Sequence, residues 1–186
     1  MKPTLAALLF LACTTIASAQ AATPAPKAAP GPIKDPVATS LRMLLPRLQN
    51  NIVGAVEAMP ADKFSYKPSA DQMTFAHLVV HIIESNNAMC SKVADVPAPK
   101  VEQAKETDSK EQLVNAVKAS FSFCSEVLGK MDDSRLGDSV EFFGGHEFPR
   151  AMGALILASG WADHYAAAAM YLRMNGILPP SAQPKH

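Results

Sequence analysis

Four stretches of this chain repeat apolar residues every three or four positions, and no stretch alternates with period two over a useful length. A three-to-four repeat marks one face of a helix, and a helix with one apolar face must bury it against another. In the first segment, Val37 to Ala58, the repeat runs through Leu41, Leu44, Leu45, Leu48, Ile52, Val53 and Val56. Pro46 within it predicts a kink or a late start. The second segment, Thr74 to Val93, follows the proline-bearing loop "MPADKFSYKPSADQ" and stops at "VPAPK". The third, "SKEQLVNAVKASFSFCSEVLGKM", opens with Ser109 and Gln112 at capping-box spacing and carries Leu113, Val117, Phe121, Cys124 and Leu128 on one face. "DDSRLGDSVEFFGGHEF" has glycines and no helical period, which makes it a long connection with room for a short hairpin at Gly144-Gly145. The fourth segment starts with Pro149 in its first turn and runs to Asn175. Gly176 stands where a left-handed C-cap residue is wanted, and Pro179-Pro180 forbids continuation. The economical architecture is all-α: a four-helix bundle with one long crossover connection, spanning residues 37–182.

The residues ahead of that domain read differently. "MKPTLAALLFLACTTIASAQA" joins a basic Lys2, a short apolar run and the small-residue end Ala17-Ser18-Ala19. Residues 1–19 are therefore expected to be a cleaved signal peptide, and the run is too short for a stable membrane span. The protein is expected to be exported, to a periplasm or the extracellular space. Acylation of Cys13 would tether it instead, but Leu11 stands where a lipobox wants a small residue. Residues 20–36, rich in Ala and Pro, form a linker with no periodicity to bury. With 17 basic and 17 acidic side chains and no Lys/Arg cluster, nucleic acid is excluded as a main partner. Cys90 and Cys124 remain after the leader. In an oxidising compartment they could pair, or pack as two buried thiols.

Candidate chemistry centres on histidine. "MTFAHLVVHIIESN" holds His77 and His81 four apart, on one helical face. His164 lies midway along the fourth segment, and ligands on facing helices of a bundle converge on its core. Three nitrogens with an open position suit a catalytic divalent ion such as zinc, nickel or iron. A single histidine in an apolar helix is equally at home as a hydrogen-bonded core residue, and spacing leaves the two readings level. Glu84, three residues after His81, could ligate or orient an imidazole, or be a solvated carboxylate. Trp161, one turn before His164, either walls a pocket or fills core. His146 sits in the glycine-rich crossover and His186 at the tail. No Glu follows the first histidine as in zincin proteases, no Glu-x-x-His supports a di-iron centre, and neither a phosphate loop nor a Gly-x-Ser-x-Gly elbow occurs.

The "MP-x-x-K-x-S-x-KP" loop, the "TF-x-x-L-x-x-H" helix start and the "HY…YLR-x-x-G-x-x-PP" end resemble the DinB-like (DinB/YfiT-like) family, and its exported members in particular. The resemblance covers roughly residues 37–182 and implies a four-helix bundle. It further implies a divalent metal held by one histidine of the second helix and two, four apart, of the fourth. His81 matches the first of these and His164 the last, while Gly160 stands where the other is expected. Either the site is degenerate, or His77 supplies the third nitrogen. Cysteines in exported relatives favour a Cys90–Cys124 disulfide. The expected activity is that of a divalent-metal-dependent enzyme, a hydrolase or a thiol-dependent transferase, acting on an unknown small molecule. The alternative is a non-catalytic binding or structural bundle, and a homodimer is compatible with either.

Overall fold

The computed structural model describes residues 31–184. The expected signal peptide, most of the linker and His186 lie outside the described residues. Residues from Ile33 onward form one compact unit of four helices: α1 (Pro36–Ala58), α2 (Phe75–Ala94), α3 (Lys110–Gly129) and α4 (Arg150–Met174). The architecture is the expected all-α bundle, with one small addition. A two-stranded antiparallel hairpin, β1 (Ser139–Glu141) and β2 (Glu147–Pro149), lies in the α3–α4 connection. Gly144 and Gly145 both take positive φ at its tip, as a tight hairpin turn requires. Strands of three residues leave no periodicity to read, so only the two glycines signalled them.

Most helix limits have a local reason. Thr74 caps α2 by accepting the His77 amide at 2.9 Å, and Ser109 with Gln112 makes both halves of the capping box on α3. Gly176, at φ 74°, ends α4, and the Ile177 amide returns to the Leu172 carbonyl at 2.9 Å. Pro149 falls one residue earlier than expected, as the N-cap of α4 rather than inside its first turn. α1 does not start late at Pro46. It begins at Pro36 and continues through Pro46, which lies on the exposed side of the helix. Its N-terminus borrows a cap from far along the chain: Asp133 accepts the Val37 and Ala38 amides at 2.9 and 2.8 Å. Arg42 reciprocates, donating to the Leu128 and Met131 carbonyls at the end of α3.

α1 packs against α3 and α4, and α2 packs against the same two helices. α1 and α2 therefore stand diagonally across the bundle, as do α3 and α4. The consequence for function is that α2 and α4, which carry the histidines, are neighbours. Their shared core includes Phe75, Val79, Ile82, Leu157, Trp161, Ala168 and Leu172, all buried. Among the described residues no helix is long and apolar enough to cross a membrane.

Cys90 on α2 and Cys124 on α3 are joined in a disulfide, with Cα atoms 5.3 Å apart and both residues fully buried. The bond closes a loop of 34 residues across the two helices, which by loop-closure entropy is worth about 3–4 kcal/mol. Protein from an oxidising compartment should show no titratable thiol after denaturation, and reduction should lower the unfolding free energy by that amount. Two free thiols in the oxidised preparation would remove the bond from the native state.

Candidate metal centre

On α2, His81 and Glu84 face the same side as Ser85, and on α4 Gly160 and His164 face them across the helix pair. Between the helices opens a cavity of about 380 Å³. His81 and His164 sit at one end with ring centroids 5.0 Å apart and planes nearly perpendicular. Met89, Ile156, Leu157 and Trp161 form its apolar walls, and Phe143 reaches in from the hairpin. That hairpin is held down by shape. The Phe142 ring lies on Gly153 of α4 so closely that a Cβ there would collide with it.

The floor is polar and buried. Asn86, 1% exposed, donates to Ser120 of α3 at 3.0 Å and accepts the Trp161 indole N–H of α4 at 2.9 Å. Ser120 passes its own hydroxyl to the Val117 carbonyl at 2.9 Å. The amide thus has a partner at each end, and Trp161 is oriented as a wall rather than merely filling space. The sequence did hold a signal for Asn86. It falls on the apolar stripe Ile82, Ile83, Met89, Cys90, where a polar residue must be buried and therefore paired.

The structure brings His81 and His164 together and does not bring His77 to them. His77 is exposed in the first turn of α2, with Nδ1 2.7 Å from Glu106 Oε1, while Thr74 donates to the other Glu106 oxygen at 2.8 Å. The Thr74 and His77 hydrogen bonds, in that order, hold the Glu106 carboxyl below its usual range. The expectation that His77 replaces the missing ligand is thus corrected. Four residues is one helical turn plus about 40°, and here that rise carries His77 to the α2–α3 connection and out of the cavity. His146 lies on the exposed hairpin beside Phe148, also away from the pair. Among the described residues, no three His, Cys, Asp or Glu side chains converge on one point.

What is present fits part of a metal site. His164 Nδ1 is buried without a hydrogen-bond partner. Burial first, then the neighbouring His81, pushes the His164 pKa down to about 4 against a smaller opposing effect of Asp163. Its ring is therefore neutral at pH 7, the form that ligates. Two imidazoles sharing an ion at about 2.0–2.1 Å per nitrogen, with a tetrahedral angle between them, place their ring centroids about 5 Å apart. The observed separation matches. Room remains at the vacant ligand position: a Cβ on Gly160 would meet nothing nearer than His164 Cε1 at 4.0 Å. Ser85 Oγ lies 3.5 Å from His81 Nε2, and Glu84 lines the same cavity.

Fold and site together define a helical-bundle protein with a histidine pair over an interhelical cavity. The family model for the DinB superfamily matches residues 44–167, and the chain belongs to that superfamily. It is similar to the crystal structure of a DinB-like protein from Bacillus subtilis, with a TM-score of 0.64 and 18% identity over 78% of this chain and 99% of that one. A DinB-like protein from Bacillus cereus gives 0.64 at 14% identity, covering 76% and 95% of the two chains. A mutant of mycothiol-dependent maleylpyruvate isomerase gives 0.57 at 12% identity, over 69% of this chain and 59% of that enzyme. No curated protein matches the chain at a significant level.

Asn86 is the connection most exposed to test. Asn86→Ala would leave the Trp161 N–H unpaired in the core and take one donor from the Ser120 oxygen, which keeps its bond to the Val117 carbonyl, at about 1–3 kcal/mol. Chemical denaturation should show that loss, together with a shift in the emission of Trp161, the single tryptophan. A loss within about 0.5 kcal/mol would mean that water or neighbouring groups replace the amide.

Proposed function

We propose that this protein is an exported, divalent-metal-dependent enzyme whose site is the cavity between α2 and α4. The observation that carries the proposal is the pairing of His81 and His164, 5.0 Å apart, with one buried ring nitrogen unpartnered. In this reading the two imidazoles would hold zinc, nickel or iron, and Ser85 and Glu84, which line the same cavity, offer further oxygens. Bound there, the ion would act as a Lewis acid that lowers the pKa of a coordinated water or thiol. The chain's own residues do the rest. Trp161, locked by Asn86, and Leu157 keep water off one side of the ligand, while His81 and Glu84 stand on the exposed side. Phe143 narrows the mouth, and the Gly160 gap lets a substrate atom approach the histidine pair without meeting a side chain.

Two reaction classes fit those parts, hydrolysis and thiol-dependent transfer. The fold shared with a mycothiol-dependent isomerase supports the second. A small molecule is the substrate class that a cavity of this size admits. Export rests on the amino-terminal sequence alone, and the mass of the mature protein tests it: an N-terminus at Gln20 agrees, and an intact Met1 or an acylated Cys13 does not. A second reading, a binding bundle without catalysis, is favoured by Gly160 and by the position of His77, which together leave two nitrogens where a tight site wants three.

Calorimetry of the untagged protein with Zn²⁺ or Ni²⁺ separates these readings. His81→Ala and His164→Ala should each weaken binding by at least about tenfold, since one imidazole holds an ion poorly. His77→Ala should leave it unchanged, and Gly160→His should tighten it by about tenfold or more by adding a third nitrogen. Equal binding by wild type and His81→Ala would sink the metal site.

A further inference from the structure

The cavity's walls say something about its ligand that the histidines do not. Apart from the His81–His164 end, the lining is apolar: Met89, Ile156, Leu157, the Trp161 face and Phe143 at the lip. Among the described residues no Lys or Arg lines it, and Glu84 is its one carboxylate. Asn86, the remaining polar group of the floor, already has both ends of its amide engaged, with Ser120 and Trp161, so it has little to offer a guest. A volume of about 380 Å³ lies at the small end of the range for ligand pockets, about 300–1,000 Å³. A carboxylate entering this space would lose hydration against the apolar walls, meet no cation from the side chains, and pass Glu84 at the exposed rim.

We propose that this cavity takes a compact, largely apolar molecule of one or two rings, neutral or cationic where it meets the exposed rim near His81, and that Glu84 at this rim disfavours carboxylates. The proposal takes the cavity to be the site assigned above but does not require the ion. It concerns specificity: Glu84 selects among ligands by charge, while Leu157, Ile156 and the Trp161 face supply the contact area. Gly160 belongs to the same design, because its missing side chain is part of the space that the ligand fills.

The test uses the full protein in the presence of a chelator, so that failure of the metal reading leaves it intact. Benzyl alcohol, benzylammonium and benzoate share one ring and differ in charge. Their binding is followed through Trp161 emission and by calorimetry at pH 7.5. Benzyl alcohol should bind saturably, benzylammonium at least as well, and benzoate at least about tenfold more weakly. Glu84→Gln should weaken benzylammonium relative to benzyl alcohol and narrow the benzoate gap. Gly160→Leu, which the open space at that position accommodates and helix propensity favours, should abolish the benzyl alcohol response while the helical signal persists. Benzoate binding as well as benzyl alcohol would overturn the proposal. So would a benzoate gap untouched by Glu84→Gln, or benzyl alcohol binding untouched by Gly160→Leu.

Discussion

A buried primary amide has to satisfy both its oxygen and its nitrogen inside the protein, and Asn86 does so by joining three helices. From α2 it donates to Ser120 on α3 and accepts from Trp161 on α4. Hydrophobic contact between helices is nondirectional and tolerates sliding and rotation. A hydrogen-bonded amide in a dry core tolerates neither. The register of α2 against α4 is therefore set at Asn86, and His81, Glu84 and His164 inherit it. A few residues away the disulfide Cys90–Cys124 ties α2 to α3, so the wall opposite α4 is covalently fixed as well.

The ends of the bundle are secured by different means. Asp133, in the α3–α4 connection, caps α1, and Arg42 of α1 closes the end of α3. At the start of α4, Arg150 is buried, with Nη1 2.6 Å from the Lys92 carbonyl of α2 and Nη2 3.5 Å from Asp95. Its Nε is buried without a hydrogen-bond partner, so the Lys92 and Asp95 contacts offset only part of the cost of burying the charge. The exposed Arg135 bonds both Asp95 and Asp138, which gathers the hairpin's base to the end of α2. The connection is long because it has work at both ends of its path: it supplies a cap to α1 and carries Phe143 to the mouth of the cavity.

Much of this was legible beforehand, for reasons that can be given residue by residue. Helix limits at Thr74, Ser109 and Gly176 rest on local hydrogen bonds or local backbone freedom, so a short window of sequence contains everything that decides them. The same holds for the apolar faces. His81 and His164 could be nominated because two helices of a bundle point their inner residues at one core. His77 shares a helical face with His81, but shared face is a coarser property than shared depth. One turn of rise moved it next to Glu106, a residue from a separate connection whose position no periodicity announces. Asn86 breaks an apolar stripe in the sequence, yet its role is hidden there because its two partners lie on other helices.

The sequence by itself determined the class of fold, most of the caps, the long α3–α4 connection, and the candidate pair His81 and His164. Those follow from short-range sterics, hydrogen bonding and the need to bury an apolar face, all of which act within a few residues. Tertiary structure alone decided which helices are neighbours, that α2 meets α4 rather than α1, and that a cavity remains between them. It also decided that Asn86 locks Trp161 as its wall and that the hairpin brings Phe143 to its lip. These depend on how separate segments satisfy one another's buried polar groups and fill one another's volume. Contacts of that kind join residues 86 and 161, or 142 and 153, through space, and each of those residues has its meaning only once the other is beside it.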